Sequence, residues 1–359
     1  MVYDDAWEDL PNGFNYWIGN HRQEITFGGP FQLEAESGLE GWIVQIKTDY
    51  LQRRDSEQSV DLQPVNDLAK SLCFSSLVLA EDNSSIQLGC SVVVHEGNQD
   101  WITLPLIQSA THQFLQCLNW PKPAPELASV WEPLQTDSPT PGQPDMAATL
   151  KSQVEELFNN TTTETPEWFQ EEINRTASIL ESPPCVLCTG DESGLTAEFP
   201  FLDRTQLLTV THQQHGDWGN GIMIQLRLPL HDPPQESMAI AEYLCQQELG
   251  AITPGVTFGP WFNEEAPRNT TTATHFIPYP YLKPNLVTNY IFYFVARARW
   301  VNEMLNDFEW SDSFATVAKG TEERIERVLE EIDNDPQAAA ERLHQMIQES
   351  DTAESTSAK

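Results

Sequence analysis

Positive charge is what this sequence lacks most. It carries 19 Lys and Arg against 54 Asp and Glu, a formal net charge of -35 at pH 7, and only seven of its cations are Lys. A surface of that sign repels phosphate backbones and anionic lipids, so neither nucleic acid nor a membrane surface is an expected partner. The densest basic spots are pairs, Arg53-Arg54 and Arg297 with Arg299. Long apolar runs are also missing. The longest, Tyr290 to Ala296, has seven residues and ends at Arg297, far short of the ~20 needed to span a bilayer. Residues Met1 to Asp9 are acidic and polar, without the basic start and apolar stretch of a signal peptide, so a cytoplasmic location is expected. Cysteine is sparse, with six at 73, 90, 117, 185, 188 and 245. They form no dense disulfide framework and are expected to be thiols in a reducing compartment. No Gly-x-Ser-x-Gly elbow, phosphate-binding loop or dinucleotide fingerprint occurs. No residue is read as catalytic, and no cofactor is expected.

What the sequence does have is repetition. Gly41-Trp42-Ile43-Val44-Gln45-Ile46-Lys47 matches Gly221-Ile222-Met223-Ile224-Gln225-Leu226-Arg227: Gly, three apolar residues, Gln, an aliphatic and a cation. Ile107, Ala110, Phe114 and Leu118 match Tyr293, Ala296, Trp300 and Met304 in spacing and apolar character. Two copies point to a pseudo-symmetric pair of domains rather than a solenoid, which needs three or more units.

The patterning gives a short helix or loop over 8–20, strands over 24–35 and 41–51, and a helix opened by Pro64 with Val65, Leu68 and Leu72 on one face. A hairpin over 76–82 and 86–95 and a helix over about 104–119 follow. Seven prolines between 121 and 145 exclude a helix or central strand, so this stretch reads as a stiff linker. Helices are expected from Asp145 and from Thr165-Pro166. Strands then fall at 196–202, 206–213 and 221–229, a helix at 236–247, strands at 251–259 and 272–279, and a long helix at 285–307. Ile325, Val328, Leu329 and Ile332 mark an amphipathic helix in the tail. The expected fold is therefore α+β: two pseudo-repeated domains, each a curved antiparallel sheet flanked by helices, and a C-terminal helical tail. The expected domains are 1–120 and 146–312, joined by the linker 121–145 and followed by an acidic tail, 313–359.

This order, with Ile277-Pro278-Tyr279-Pro280-Tyr281-Leu282-Lys283-Pro284-Asn285-Leu286-Val287 and then Ala296-Arg297-Ala298-Arg299-Trp300, resembles the YbjN-like proteins, which look like the type III secretion chaperone fold. The second half, about 166–307, carries more of the likeness. The first half lacks the Arg-Ala-Arg-Trp stretch and has Ala110-Thr111-His112-Gln113-Phe114 there. The resemblance implies a non-enzymatic, chaperone- or adaptor-like protein that binds a partner protein. It also implies pairing, as a monomeric pseudo-dimer within one chain or as a homo-oligomer.

Two sets of residues are candidates for function. Cys185-Val186-Leu187-Cys188 has the spacing of a redox pair or of half a zinc site. Pro183-Pro184 before it and Thr189-Gly190-Asp191 after it argue against the helix start that a redox thiol uses. His212 and His215 could complete a zinc set with Cys185 and Cys188. The bland alternative makes these loop cysteines and a polar hairpin tip. For partner binding the candidates are Trp218, Trp261 and Phe262 in loops, with Tyr279 and Tyr281. The aromatic helix that follows reads as core, because a helix apolar all round is buried.

Overall fold

The computed structural model describes residues 7–18, 20–32, 40–54, 61–80, 84–119, 125–137, 166–180, 184–186, 193–201, 204–215, 218–228, 234–250, 256–264 and 270–306. The helix expected from Asp145 and the tail expected over 313–359 lie outside these. The fold is α+β, with antiparallel sheets and separate helices. No helix among the described residues is long and apolar enough to cross a membrane.

The chain divides into two compact units that interleave in sequence. One comprises Met1–Thr161 with Leu230–Phe276, and the other Thr162–Pro229 with Ile277–Lys359. The sequential division at 120 and 146 is thus not how contacts partition. The segment 230–276 joins the first unit because its helix and strands pack there.

The first unit is built on an antiparallel sheet. Its strands are β1 (Trp7–Leu10), β2 (Gly13–Ile18), β3 (His21–Gln32), β4 (Glu40–Arg53), β5 (Ser76–Leu79), β6 (Ser85–His95), β7 (Trp131–Pro133) and β12 (Val256–Thr257). They lie in the order β1-β2-β3-β4-β6-β12, with β5 paired to β6 and β7 to β4. Residues 8–20, expected as helix or loop, form the β1–β2 hairpin instead. Pro11-Asn12 make the turn, and β2 is rich in the aromatic residues that favour strands, Phe14, Tyr16 and Trp17. Gly13 is needed where this hairpin meets β3, since any Cβ there would sit on the Ile25 carbonyl. The proline-rich stretch is also not simply a linker. Pro125–Ser129 forms a 3₁₀ turn and β7 adds to the sheet, carrying the buried Trp131.

Three helices complete this unit: α1 (Leu62–Ser71), α2 (Gln99–Asn119) and α4 (Pro234–Gly250). Asp61 caps α1 by accepting from the Gln63 N–H at 3.0 Å, and Lys70 sits in the last turn, where a cation suits the helix dipole. Helix α2 starts five residues earlier than its sequence pattern suggests and runs through Pro105. The Asn98 carbonyl accepts from Trp101 and Ile102 and anchors its first turn. One core gathers Tyr50, Leu51, Leu68, Leu72, Ile86, Leu88 and Trp131. Segment 256–276 closes the unit with β13 (Trp261–Glu264) paired to β14 (Thr270–Pro278). Gly259, at φ +77°, passes too close to the Thr274 carbonyl for any side chain.

In the second unit, β8 (Pro184–Val186), β9 (Ser193–Phe201), β10 (Arg204–His215) and β11 (Gly219–Leu228) pair in order, all antiparallel. Against them stand α3 (Glu167–Ile179) and α5 (Leu286–Asn306).

Candidate interaction surface

The zinc candidates all belong to the second unit, and the two histidines, which are described, do not share a face. His212 and His215 lie three apart on β10, so their side chains point to opposite faces of the sheet. His212 Nδ1 is 2.7 Å from the Tyr279 hydroxyl, and its ring is 5.1 Å from that of Phe169. Cys185 lies in β8 opposite Gly194, and Cys188 is outside the described residues. Among the described residues no group of three or more His, Cys, Asp or Glu is placed to hold a metal ion.

The partner-binding candidates divide. Trp218, Trp261 and Phe262 are 5%, 2% and 4% exposed. They are core residues and offer no contact patch. Trp261 follows the Gly259 turn inward, and its backbone N–H donates to Cys245 Sγ at 3.1 Å. Tyr279 and Tyr281 are half-buried. Burial raises the Tyr281 phenol above its ordinary pKa.

Buried polar groups elsewhere serve to lock the fold. In the first unit Gln23, Thr48, Gln113, Ser109 and Ser75 form a chain of side-chain contacts, with Thr48 Oγ1 donating to Gln113 Oε1 at 2.6 Å and Ser109 Oγ donating to the Phe74 carbonyl at 2.8 Å. All five are buried; satisfied networks of this kind fix which faces meet. The Cys90 thiol beside it is pushed up to about 12 by burial, so it is not a thiolate nucleophile. A cavity of about 20 Å³ lies between α1 and α4, lined in part by Asn66, Glu242, Cys245 and Trp261. Desolvation raises the Glu242 carboxyl. A second cavity of about 290 Å³ is walled by Gln45, Lys47, Gln87, Gly89, Gln246 and Leu249.

The feature that stands out on the surface is apolar. Phe27, Trp42 and Ile107 are 45%, 41% and 58% exposed. Strand register puts the first two on one sheet face. Phe27 pairs with Val44, two residues from Trp42, while Ile25 pairs with Ile46 and Gln23 with Thr48. Gln113 of α2 takes hydrogen bonds from both Gln23 and Thr48, so α2 covers this face further along. Ile107 is one turn nearer the open end of the sheet than Ala110, whose carbonyl accepts from Gln23 at 3.1 Å. Phe27 and Trp42, towards the Gly28–Pro30 irregularity and the start of β4, remain partly in solvent. The sequence pattern places Phe27 and Trp42 in strands and gives neither a surface role. The signal that could have found them is Gly28-Gly29-Pro30, which ends regular pairing beyond Phe27.

No family model matches this chain, and neither a curated protein nor a solved structure does so.

Proposed function

We propose that this chain is a non-enzymatic, cytoplasmic protein-interaction module, chaperone- or adaptor-like, which binds a partner protein through sheet and helix surfaces. The observation that carries the reading is the half-exposed pair Phe27 and Trp42 on one sheet face, on a chain of net charge -35. Exposed large apolar side chains grouped on one face mark interaction sites, and such an acidic surface disfavours nucleic acid and anionic lipid as the partner.

The proposal includes the two-copy architecture and the likeness to YbjN-like proteins and the type III secretion chaperone fold. Support comes from element order. β2, β3, β4, α1, β5, β6 and α2 are followed later by β9, β10, β11, α4, β13, β14 and α5. The two matching heptapeptides each fall in the third strand of their series. Within the first unit α1 packs on β13, α4 packs on β5, and the two helices meet. That is the reciprocal pattern of a two-fold interface, here between copies on one chain. Asn66 of α1 holds the Asn263 backbone of β13 on both sides, while Gln246 of α4 donates to the Leu79 carbonyl of β5 at 3.1 Å.

The test is affinity capture from host lysate at native ionic strength, with zinc analysis of the same sample. One dominant stoichiometric protein without metal is the expected result. Stoichiometric zinc and no protein would overturn the reading in favour of Cys185, Cys188, His212 and His215.

A further inference from the structure

We propose that the face of Phe27 and Trp42 receives a cationic amphipathic helix of the partner protein. This rests on the protein-binding reading and adds to it the location of the site, its occupant's charge and its secondary structure.

Charge comes first. Asp9 pairs with Phe14, which pairs with Ile25, and the Phe14 and Phe27 rings are 6.5 Å apart. Asp9 therefore borders the apolar face on one side. Glu40 lies two residues before Trp42 on the same face of β4, and Glu96 and Asp100 flank the start of α2; all four carboxylates are exposed. Among the described residues no cation opposes them on this face. β1, β2, β6 and α2 contain no Lys or Arg. Arg22 is on the opposite face of β3, paired with Asp49 at 2.9 Å. Lys47 alternates to that opposite face of β4, and Arg53 lies far along β4, over the Trp131 ring. An apolar centre with an uncompensated acidic rim complements an apolar stripe flanked by Lys and Arg. A second copy of this chain, itself strongly acidic, has the wrong sign.

The backbone settles the secondary structure of the occupant. On the β2 side of β3, pairing ends at Thr26 and the Phe27 N–H bond to the Asn12 carbonyl at 2.7 Å. The edge beyond could in principle accept an added strand. However, the register shifts between Gly28 and Phe31, and Pro30 has no N–H to offer. Bulges and proline are the devices that stop strand addition. Side chains remain available where main chain does not, which favours a helix laid across the face, with Trp42 as the anchor.

The probe is a labelled synthetic Leu/Lys helix of about 18 residues with one apolar stripe, compared with a Leu/Glu helix of the same stripe, by fluorescence anisotropy. The wild-type chain should bind the first and not the second. The double variant Trp42→Ser, Phe27→Ser should bind it about tenfold or more weakly. Trp42→Lys, which removes the anchor and adds a cation, should do the same, and an unchanged thermal melt shows that each variant is folded. Equal binding by the variants would mean diffuse attraction to the acidic surface and would overturn the proposal, as would equal binding of the Leu/Glu helix. Light scattering of the wild type and double variant addresses the other occupant: a dimer abolished by the substitutions would assign this face to a second copy and overturn the proposal. If the lysate yields a client that binds the double variant as well as wild type, this face falls while the protein-binding reading stands. If it yields no client, the reading falls and takes the proposal with it.

Discussion

Asn66 shows how much one side chain can decide. Its amide accepts from the Asn263 N–H at 2.6 Å and donates to the Asn263 carbonyl at 3.0 Å, and both residues are buried. Asn66→Ala leaves a buried donor and acceptor unmet, at a cost of about 2 kcal/mol. Urea denaturation should show that loss, while Asn66→Asp, which keeps only the acceptor, should also destabilise. His21 makes a pH prediction. Burial holds its imidazole below the ordinary value, partly opposed by a backbone hydrogen bond with Leu134. The unfolded chain, titrating near ~6.5, then takes up the proton first. The His21 contribution is complete above that pH, is lost as pH falls toward the folded value, and is constant below it. His21→Gln should therefore give a shallower fall in urea midpoint between about pH 7 and 5 than wild type; equal slopes would remove His21 as the cause. At this scale the sequence was legible in composition and less so in exposure. Trp261 and Phe262 read as loop aromatics because Pro260 precedes them, yet they enter a strand whose residues are buried. Trp42 sits in a run that matches the one holding the buried Ile222, yet it is 41% exposed; the heptapeptide pattern alone does not separate the two.

Among the elements, α5 depends on a residue from elsewhere. Glu172 of α3 accepts from the N–H groups of Asn285 and Thr288, each at 2.8 Å, and from the Thr288 hydroxyl at 3.0 Å. It supplies to the start of α5 what a local capping box supplies in other helices. Asn285, at φ +67°, is the turn that aims these groups at it, and Arg175 donates to its side-chain oxygen. Glu172→Ala should lower stability by about 2–3 kcal/mol, and Glu172→Gln by less because its amide oxygen can still accept. A thermal melt of both variants, read in the near-ultraviolet circular dichroism of the aromatic residues around α5, checks the ranking. Helix and strand periodicity located most of the elements, including α5 to within a residue at each end. It failed at 8–20, where three large apolar residues suggested a helix and the Pro11-Asn12 turn dictated a hairpin. It also set the start of α2 at about 104, five residues after its first residue Gln99. Strand β7 was illegible because three residues inside a proline-rich stretch carry no period of their own, and pairing with β4 makes them a strand.

At the scale of the whole molecule, the likeness of two strands was legible in their shared heptapeptide pattern. The partition of contacts was not. Residues 230–276 follow the second unit's strands in sequence and pack with the first unit, and nothing in a linear pattern says on which unit a helix packs. The histidine pair shows the same limit of linear spacing. A spacing of three serves a helix, where side chains three apart share a face, but on strand β10 it sends His212 and His215 apart. The exposed aromatic face and its acidic rim likewise arise from register, which puts Asp9 of β1 on the same sheet face as Phe27 of β3 and Glu40 and Trp42 of β4.

Whether this face binds a basic segment of a partner protein decides the functional reading, and site-specific photocrosslinking addresses it without a purified client. A photoreactive phenylalanine analogue would replace Trp42 in one sample and the exposed Asp67 of α1 in a control, with both irradiated in host lysate and the adducts sequenced. A discrete adduct is expected from position 42 and not from 67, mapped to a client segment with an apolar stripe flanked by Lys and Arg. The same adducts from both positions, or adducts at 42 confined to acidic or extended segments, would contradict it.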